Sequence, residues 1–193
     1  TRGDSAAALA ILDDAVAQFE RLVGRSGAGP REHQEFAITL YNRAVAVLFR
    51  EPKAGEPFLQ RSLQEFERAG LSTGEPHDEL VVSASQRHAM ALNARGIICD
   101  DTGRWPESVA AYDEARELLE RVAAVWPNRA DVTSELASIL LNSTSAYVKE
   151  GRNDDAEKAA LRSIELLKPL VRDYPRTQQY RMDLANAYMS YGV

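Results

Sequence analysis

One pattern in this chain is used twice. The stretch "CDDTGRWPESVAAYDEA", Cys99 to Ala115, returns 48 positions later as "YVKEGRNDDAEKAALRS". Each copy runs through polar residues to a Gly-Arg pair (Gly103-Arg104, Gly151-Arg152), then acidic residues, then an alanine-rich amphipathic segment. Recurrence at fixed spacing limits the fold more than composition can. A short unit that cannot bury its own apolar face must be covered by its neighbours, and copies then stack.

Glycines at Gly3, Gly55, Gly103 and Gly151, separated by 52, 48 and 48 residues, extend the frame to four copies. After Gly103 the apolar positions Val109, Tyr112, Ala115, Leu119, Val122 and Trp126 are spaced by three and four, as a buried helical face requires. A shift of 100 maps this face onto Leu9, Leu12, Ala15, Phe19 and Leu22, and a shift of 48 maps its end onto Leu167, Leu170 and Tyr174. The second frame is the least regular, with Leu59, Leu63 and Phe66 fitting a shift of 49. Proline follows the aromatic both times (Pro127, Pro175). Because it ends one helix and its fixed φ suits the first turn of another, "WPN" and "YPR" read as helix-to-helix corners. A second amphipathic helix follows each corner, through Val132, Leu136, Ile139, Leu140, Ser143 and Tyr147, then through Tyr180, Leu184, Ala187, Tyr188 and Tyr191. The glycine closes it in a left-handed conformation.

The pattern predicts eight helices, about 5–23, 31–50, 56–69, 78–101, 105–125, 128–149, 153–173 and 176–193, with no strand alternation anywhere. Unit boundaries fall near 24–30, 70–77, 126–128 and 174–176, two of them Gly/Ser/Pro-rich loops. Neighbouring hairpins must share a core, so 1–193 reads as one repeat domain.

At Gly96, Gly103, Tyr112 and Ala115 the chain resembles a tetratricopeptide repeat, whose pattern sets a small residue in the first helix, a turn glycine seven positions on, then an aromatic and an alanine in the second helix. "LANAYMSYG", Leu184 to Gly192, resembles the opening of another unit, whereas Thr144 and Ala160 replace the small glycine and the aromatic in the unit between, and Ser108 stands where alanine is usual. The frame exceeds the usual length of roughly 34 residues. The excess comes to about seven residues per helix, almost two turns, which returns each apolar face to nearly its original direction. The resemblance implies an all-α, right-handed superhelical solenoid of antiparallel hairpins. Elongated arrays of this kind resemble those attached to bacterial signalling proteins, including serine/threonine kinases, where a regulatory repeat region would sit.

Composition narrows function mainly by exclusion. The chain has 193 residues, 45% apolar and 27% charged, with a net charge of −6. Acids and bases alternate, leaving no basic stripe for nucleic acid or an anionic membrane. One cysteine cannot form an internal disulfide, and no apolar run approaches the ~18 residues that span a bilayer, so a cytoplasmic chain is expected. The N-terminus lacks the charged region and continuous apolar core of a signal peptide and reads as a cut end, so the sequence is expected to be a fragment of a longer chain.

Candidate chemistry is sparse. His33, His77 and His88 lack partners at metal spacing, and no cofactor motif occurs. His88 falls in register with Leu136, and Cys99 with Tyr147 on the apolar face, so both read as packing residues. Asp154-Asp155 lie at a helix start, where carboxylates cap amides. No enzyme is expected.

What remains is surface. The resemblance implies that the first helix of each hairpin lines a concave groove, where the matching positions are Asn42, Met90, Asn93, Ser138, Asn142, Ser145, Lys149, Asn186 and Met189. An asparagine amide both donates to and accepts from an extended peptide backbone, and it can equally bond one helix to the next. The implied partner is a protein or peptide segment. Self-association through open solenoid ends is the alternative.

Overall fold

A computed structural model describes residues 2–24, 27–48 and 50–192. Among these residues the chain is all-helical, with no strand: α1 (Arg2–Val23), α2 (Pro30–Leu48), α3 (Pro52–Ala69), α4 (Glu79–Asp101), α5 (Trp105–Val125), α6 (Ala130–Lys149), α7 (Asn153–Asp173) and α8 (Gln178–Tyr191), plus a 3-10 turn at Leu71–Thr73. The expected bounds of α5 and α7 coincide with those observed. Phe49 and Val193, expected at helix ends, and Arg25-Ser26 of the first loop lie outside the described residues. The chain divides into two compact units, Thr1–Ala91 and Leu92–Val193, the boundary falling inside α4.

In the first unit α1 packs on α2 and α2 on α3. Val16, Phe36 and Leu40 form a buried cluster against Phe19, Val23 and Phe58, with the Phe19 and Phe36 rings stacked at 5.9 Å. Small residues let α2 and α3 approach: Ala37 and Ser62 are fully buried, and the Ser62 hydroxyl donates to the Ala37 carbonyl at 2.7 Å. His88 is buried, its ring stacked 5.1 Å from that of Phe66, and its Nδ1 lies 3.0 Å from the Ser72 hydroxyl.

In the second unit α5, α6, α7 and α8 pack in chain order, and α6 also touches α8. The core between the last three helices is Ala137, Ile164, Leu167, Leu170 and Ala187. Gly96 of α4 lets the Tyr112 ring lie where a Cβ would come within 2.6 Å of it, and the Ser108 hydroxyl donates to the Gly96 carbonyl at 2.8 Å. Ser163 repeats the α3 contact by donating to the Ala137 carbonyl at 3.0 Å.

Backbone geometry recurs in this unit at 48-residue spacing. Gly103 and Gly151 have φ of 76° and 75°. Each donates three residues back, to Asp100 and Val148, while the next residue donates five back, Arg104 to Cys99 and Arg152 to Tyr147. That bond pair is the Schellman helix end. The corner residues Trp126 and Tyr174 also match, with φ and ψ of −122°, 66° and −124°, 62°.

Several expectations fail here. Pro127 and Pro175 do not start a helix, since α6 begins at Ala130 and α8 at Gln178. Arg129 donates to Trp126 and Thr177 to Tyr174, so each proline is the second residue of a β-turn, where its fixed φ fits equally well. Gly3 and Gly55 lie inside α1 and α3 and are not turn glycines. The α2–α3 turn falls four residues earlier, where Arg50 and Glu51 donate to the Val47 carbonyl, and Gly55 instead makes room for Leu48. At the expected shift of 49, Leu59, Leu63 and Phe66 of α3 fall on the buried Ser108, Tyr112 and Ala115. The matching hydrogen bonds of Ser62 to Ala37 and Ser163 to Ala137 favour a shift of 53 instead, which also sets the buried Gly55, Glu65 and Ala69 on the buried Ser108, Leu118 and Val122. Finally, Asp154 and Asp155 lie in the first turn of α7, but its N-cap Arg152 has no side-chain cap bond. Asp155 pairs with the Arg152 guanidinium at 2.7 Å instead.

Candidate functional site

Ser138, Asn142, Ser145 and Lys149 recur every three or four residues along α6, and so occupy one face of it. The face runs from half-buried at Ser138 and Asn142 to exposed at Ser145 and Lys149. Its last turn opens on a cleft of about 620 Å³, lined by Thr144, Ser145, Val148 and Lys149 of α6, Asn153, Ala156 and Glu157 of α7, and Ser190 and Tyr191 of α8. The walls mix hydroxyls, an amide, an ammonium and a carboxylate with the Val148 side chain, which is 55% exposed. The Tyr191 hydroxyl donates to Glu157 across 3.5 Å.

Two contacts tie α6 to α4. The Asn142 amide donates to Asn93 Oδ1 at 3.0 Å, and the Lys149 ammonium meets Asp100 at 2.8 Å. Both join residues 49 apart, which accounts for the offset between the asparagines in the sequence: they lie opposite one another and need not be equivalent positions. Asn142 and Asn93 therefore link two helices. Asn186 and Met189 lie exposed on α8. Asn42 and Met90 belong to the first unit, Asn42 exposed on α2 and Met90 half-buried on α4.

The sequence reading missed Val148, Asn153, Glu157, Ser190 and Tyr191. Glu157 and Tyr191 stand at positions held by Val109 and Ser143 one frame earlier, so recurrence gave no signal for them. Val148, exposed while the other large apolar side chains of α6 are buried or half-buried, marks the cleft.

A second, smaller cleft of about 270 Å³ in the same unit is charged, with Asp113, Arg116, Glu120, Arg152, Asp155, Lys158 and Arg162 around Tyr147. The Tyr147 hydroxyl donates to Asp113 at 2.5 Å, and Arg152 stacks over its ring at 4.7 Å. Burial, with the Asp113 hydrogen bond and charge added, pushes Tyr147 up to about 12. Arg116 bridges Asp113 and Glu120, and Arg152 bridges Asp113 and Asp155, so the charges are neutralised locally.

Among the described residues no group of three or more histidine, cysteine or carboxylate side chains is placed to share a metal ion. No helix there is long and apolar enough to cross a membrane. Comparison with protein-family models and with curated proteins finds no match to this chain.

Proposed function

We propose that the chain is a tetratricopeptide-like array, a right-handed superhelix of elongated hairpins. It acts without a chemical step, as a scaffold that seats an extended peptide or a partner helix in the groove lined by the first helix of each hairpin. The observation that carries this reading is the pairing of α6 with α8 beside an open cleft. These two helices have matched turns 48 residues apart, and they meet side by side with the start of α7 as the third wall.

Burial supports the same reading. Ala37, Ala89 and Ala137, in α2, α4 and α6, are all 0% exposed, and so are Ser62, Ala115 and Ser163 in α3, α5 and α7. Ser62 on Ala37 and Ser163 on Ala137 make the same contact within two hairpins, as equivalent units would, since each small pair sets the distance between two helix axes.

The cleft's chemistry suits a peptide backbone with a small apolar side chain: hydroxyls and an amide for main-chain groups, Val148 for the side chain, Lys149 for a carboxylate. Panning a random-peptide display library against the protein tests this. The expected result is a shared motif whose binding weakens at least about tenfold, or 1.4 kcal/mol, in Ser145→Trp and Lys149→Glu. Absence of enrichment, or binding unaffected by both variants, rejects the groove.

A further inference from the structure

Trp126 and Tyr174 close α5 and α7 at matched positions, yet both rings face solvent, 39% and 47% exposed. Their backbones have nearly the same φ and ψ, and each N–H donates four residues back, to Val122 and Leu170. A turn proline follows each. Each Cα–Cβ bond therefore leaves its corner in the same direction. Trp126 is this exposed although α6, α7 and α8 are packed in order after it, so the exposure belongs to the corner itself.

The two rings are spaced by the helices that follow them. α7 joins α6 and α8 through short connections and runs antiparallel to both, so α6 and α8 are parallel and begin at the same end of the unit. They touch, which sets their axes about 8–10 Å apart. Trp126 and Tyr174 each stand four residues before the next helix, and so form two aromatic ledges about one helix spacing apart. A polyproline II segment advances about 9 Å per three-residue turn. Prolines at i and i+3 on one face of such a segment match the ledges.

The charge beside the second ledge is one-sided. From Lys168 to Arg181 the chain carries four basic residues and one acid, Asp173, although its net charge is −6. Asp173 is taken up by Arg172 at 2.7 Å. Arg176, exposed two residues after Tyr174, has no ion pair among the described residues. The exposed Arg181 donates to the Pro175 carbonyl at 3.1 Å and likewise meets no carboxylate there. At the first ledge Arg129 is already paired with Asp131.

We infer that the α5–α6 and α7–α8 corners form a docking ledge for an acidic peptide in the polyproline II conformation. Two prolines three residues apart lie on Trp126 and Tyr174, and a carboxylate beside the second proline meets Arg176. The ledge sits where α6 and α8 begin, whereas the cleft opens where they end, so the two are separate surfaces. The inference uses the observed match between two corners and does not require the repeat reading of the whole chain.

Fluorescence anisotropy of a labelled peptide, Glu-Glu-Pro-Ala-Ala-Pro-Glu-Glu, titrated with the whole chain, tests this. The peptide is expected to bind, and to bind at least about tenfold more weakly in Trp126→Ala, Tyr174→Ala and Arg176→Glu. Arg176 is exposed and unpaired, so Arg176→Glu should keep the parent circular dichroism and reads the ledge even if an aromatic variant loses structure. Exchanging the glutamates for lysines, or setting the two prolines side by side, should weaken binding by a similar factor. Ser145→Trp should leave it unchanged. No binding at millimolar protein, equal binding of either altered peptide, or binding that survives Tyr174→Ala and Arg176→Glu overturns the inference. So does loss of binding in Ser145→Trp, which would assign the peptide to the cleft, or retention of phosphatidylserine vesicles without the peptide, which would make the corners a membrane contact.

Discussion

Gly96 has room for a hydrogen and little else. A Cβ there would lie 2.6 Å from the Tyr112 ring, whose residue is 2% exposed and cannot swing away. Gly96→Ala is therefore expected to cost about 1–3 kcal/mol by overpacking. Gly103→Ala, at φ 76° with nothing near its Cβ, should cost only about 1 kcal/mol of left-handed strain. Urea unfolding of the two variants checks the order, and equal losses would contradict it. His88 gives a second prediction at this scale. Burial lowers its pKa to about 4 from 6.5, so the unfolded chain binds its proton more readily between those values. The stabilising effect of neutral His88 is complete above pH 6.5 and lost as pH falls towards 4, amounting to about 3 kcal/mol. His88→Leu, which installs the residue found at the matching position 136, should flatten the slope of stability against pH in that interval. An unchanged slope would mean that the histidine is hydrated. That His88 would be a packing residue was legible in the sequence from its register. The Ser72 contact was not, because the Gly/Ser-rich loop that carries it has no periodicity.

At the scale of elements, what holds a helix pair together differs between hairpins. Where α5 and α7 place Leu118 and Leu166, α3 places Glu65. Its carboxylate is 0% exposed and held by His33, Arg61 and Arg68, each at 2.7 Å. Burial pushes the Glu65 pKa up, but the hydrogen bonds from His33 and Arg61 and the charges of Arg68 and Arg61 outweigh it and hold the group below its ordinary range. Both variants strand the partners of the carboxylate, so Glu65→Ala should cost about 3 kcal/mol, whereas Glu65→Leu, which fills the space that Leu118 and Leu166 fill in α5 and α7, should cost clearly less by leaving no cavity. Thermal unfolding distinguishes them, and equal destabilisation by both would reject the leucine-register argument. Ser62→Ala and Ser163→Ala should each lose about 1 kcal/mol, the net worth of a buried hydrogen bond. Helix existence and most boundaries were legible because apolar spacing is set by the helix itself. Turn chemistry was less so. Proline at the corner suits a helix start and a β-turn equally well, and glycine serves as readily for close approach, at Gly55, as for a left-handed end, at Gly151.

At the scale of the whole molecule, the account stands on the equivalence of successive frames. Recurrence was readable in the sequence between Cys99 and Tyr174, where spacing is uniform. It was misread around α3, because the α2–α3 turn and the Gly70–Asp78 loop change the spacing without changing which residues are buried. Of the cleft lining, Ser145 and Lys149 on α6 were singled out in the sequence, whereas the wall at Asn153 and Glu157 was not. Duplicating residues 105–152 directly after Arg152 tests this equivalence most directly, since the join then reads Gly-Arg-Trp as it does at 103–105. If the frames are equivalent, the longer protein keeps the same helical circular dichroism per residue and unfolds cooperatively, at a temperature no lower than the parent. A drop in helical signal per residue, or unfolding well below the parent, would show that these 48 residues depend on one particular surrounding and are not successive turns of one array.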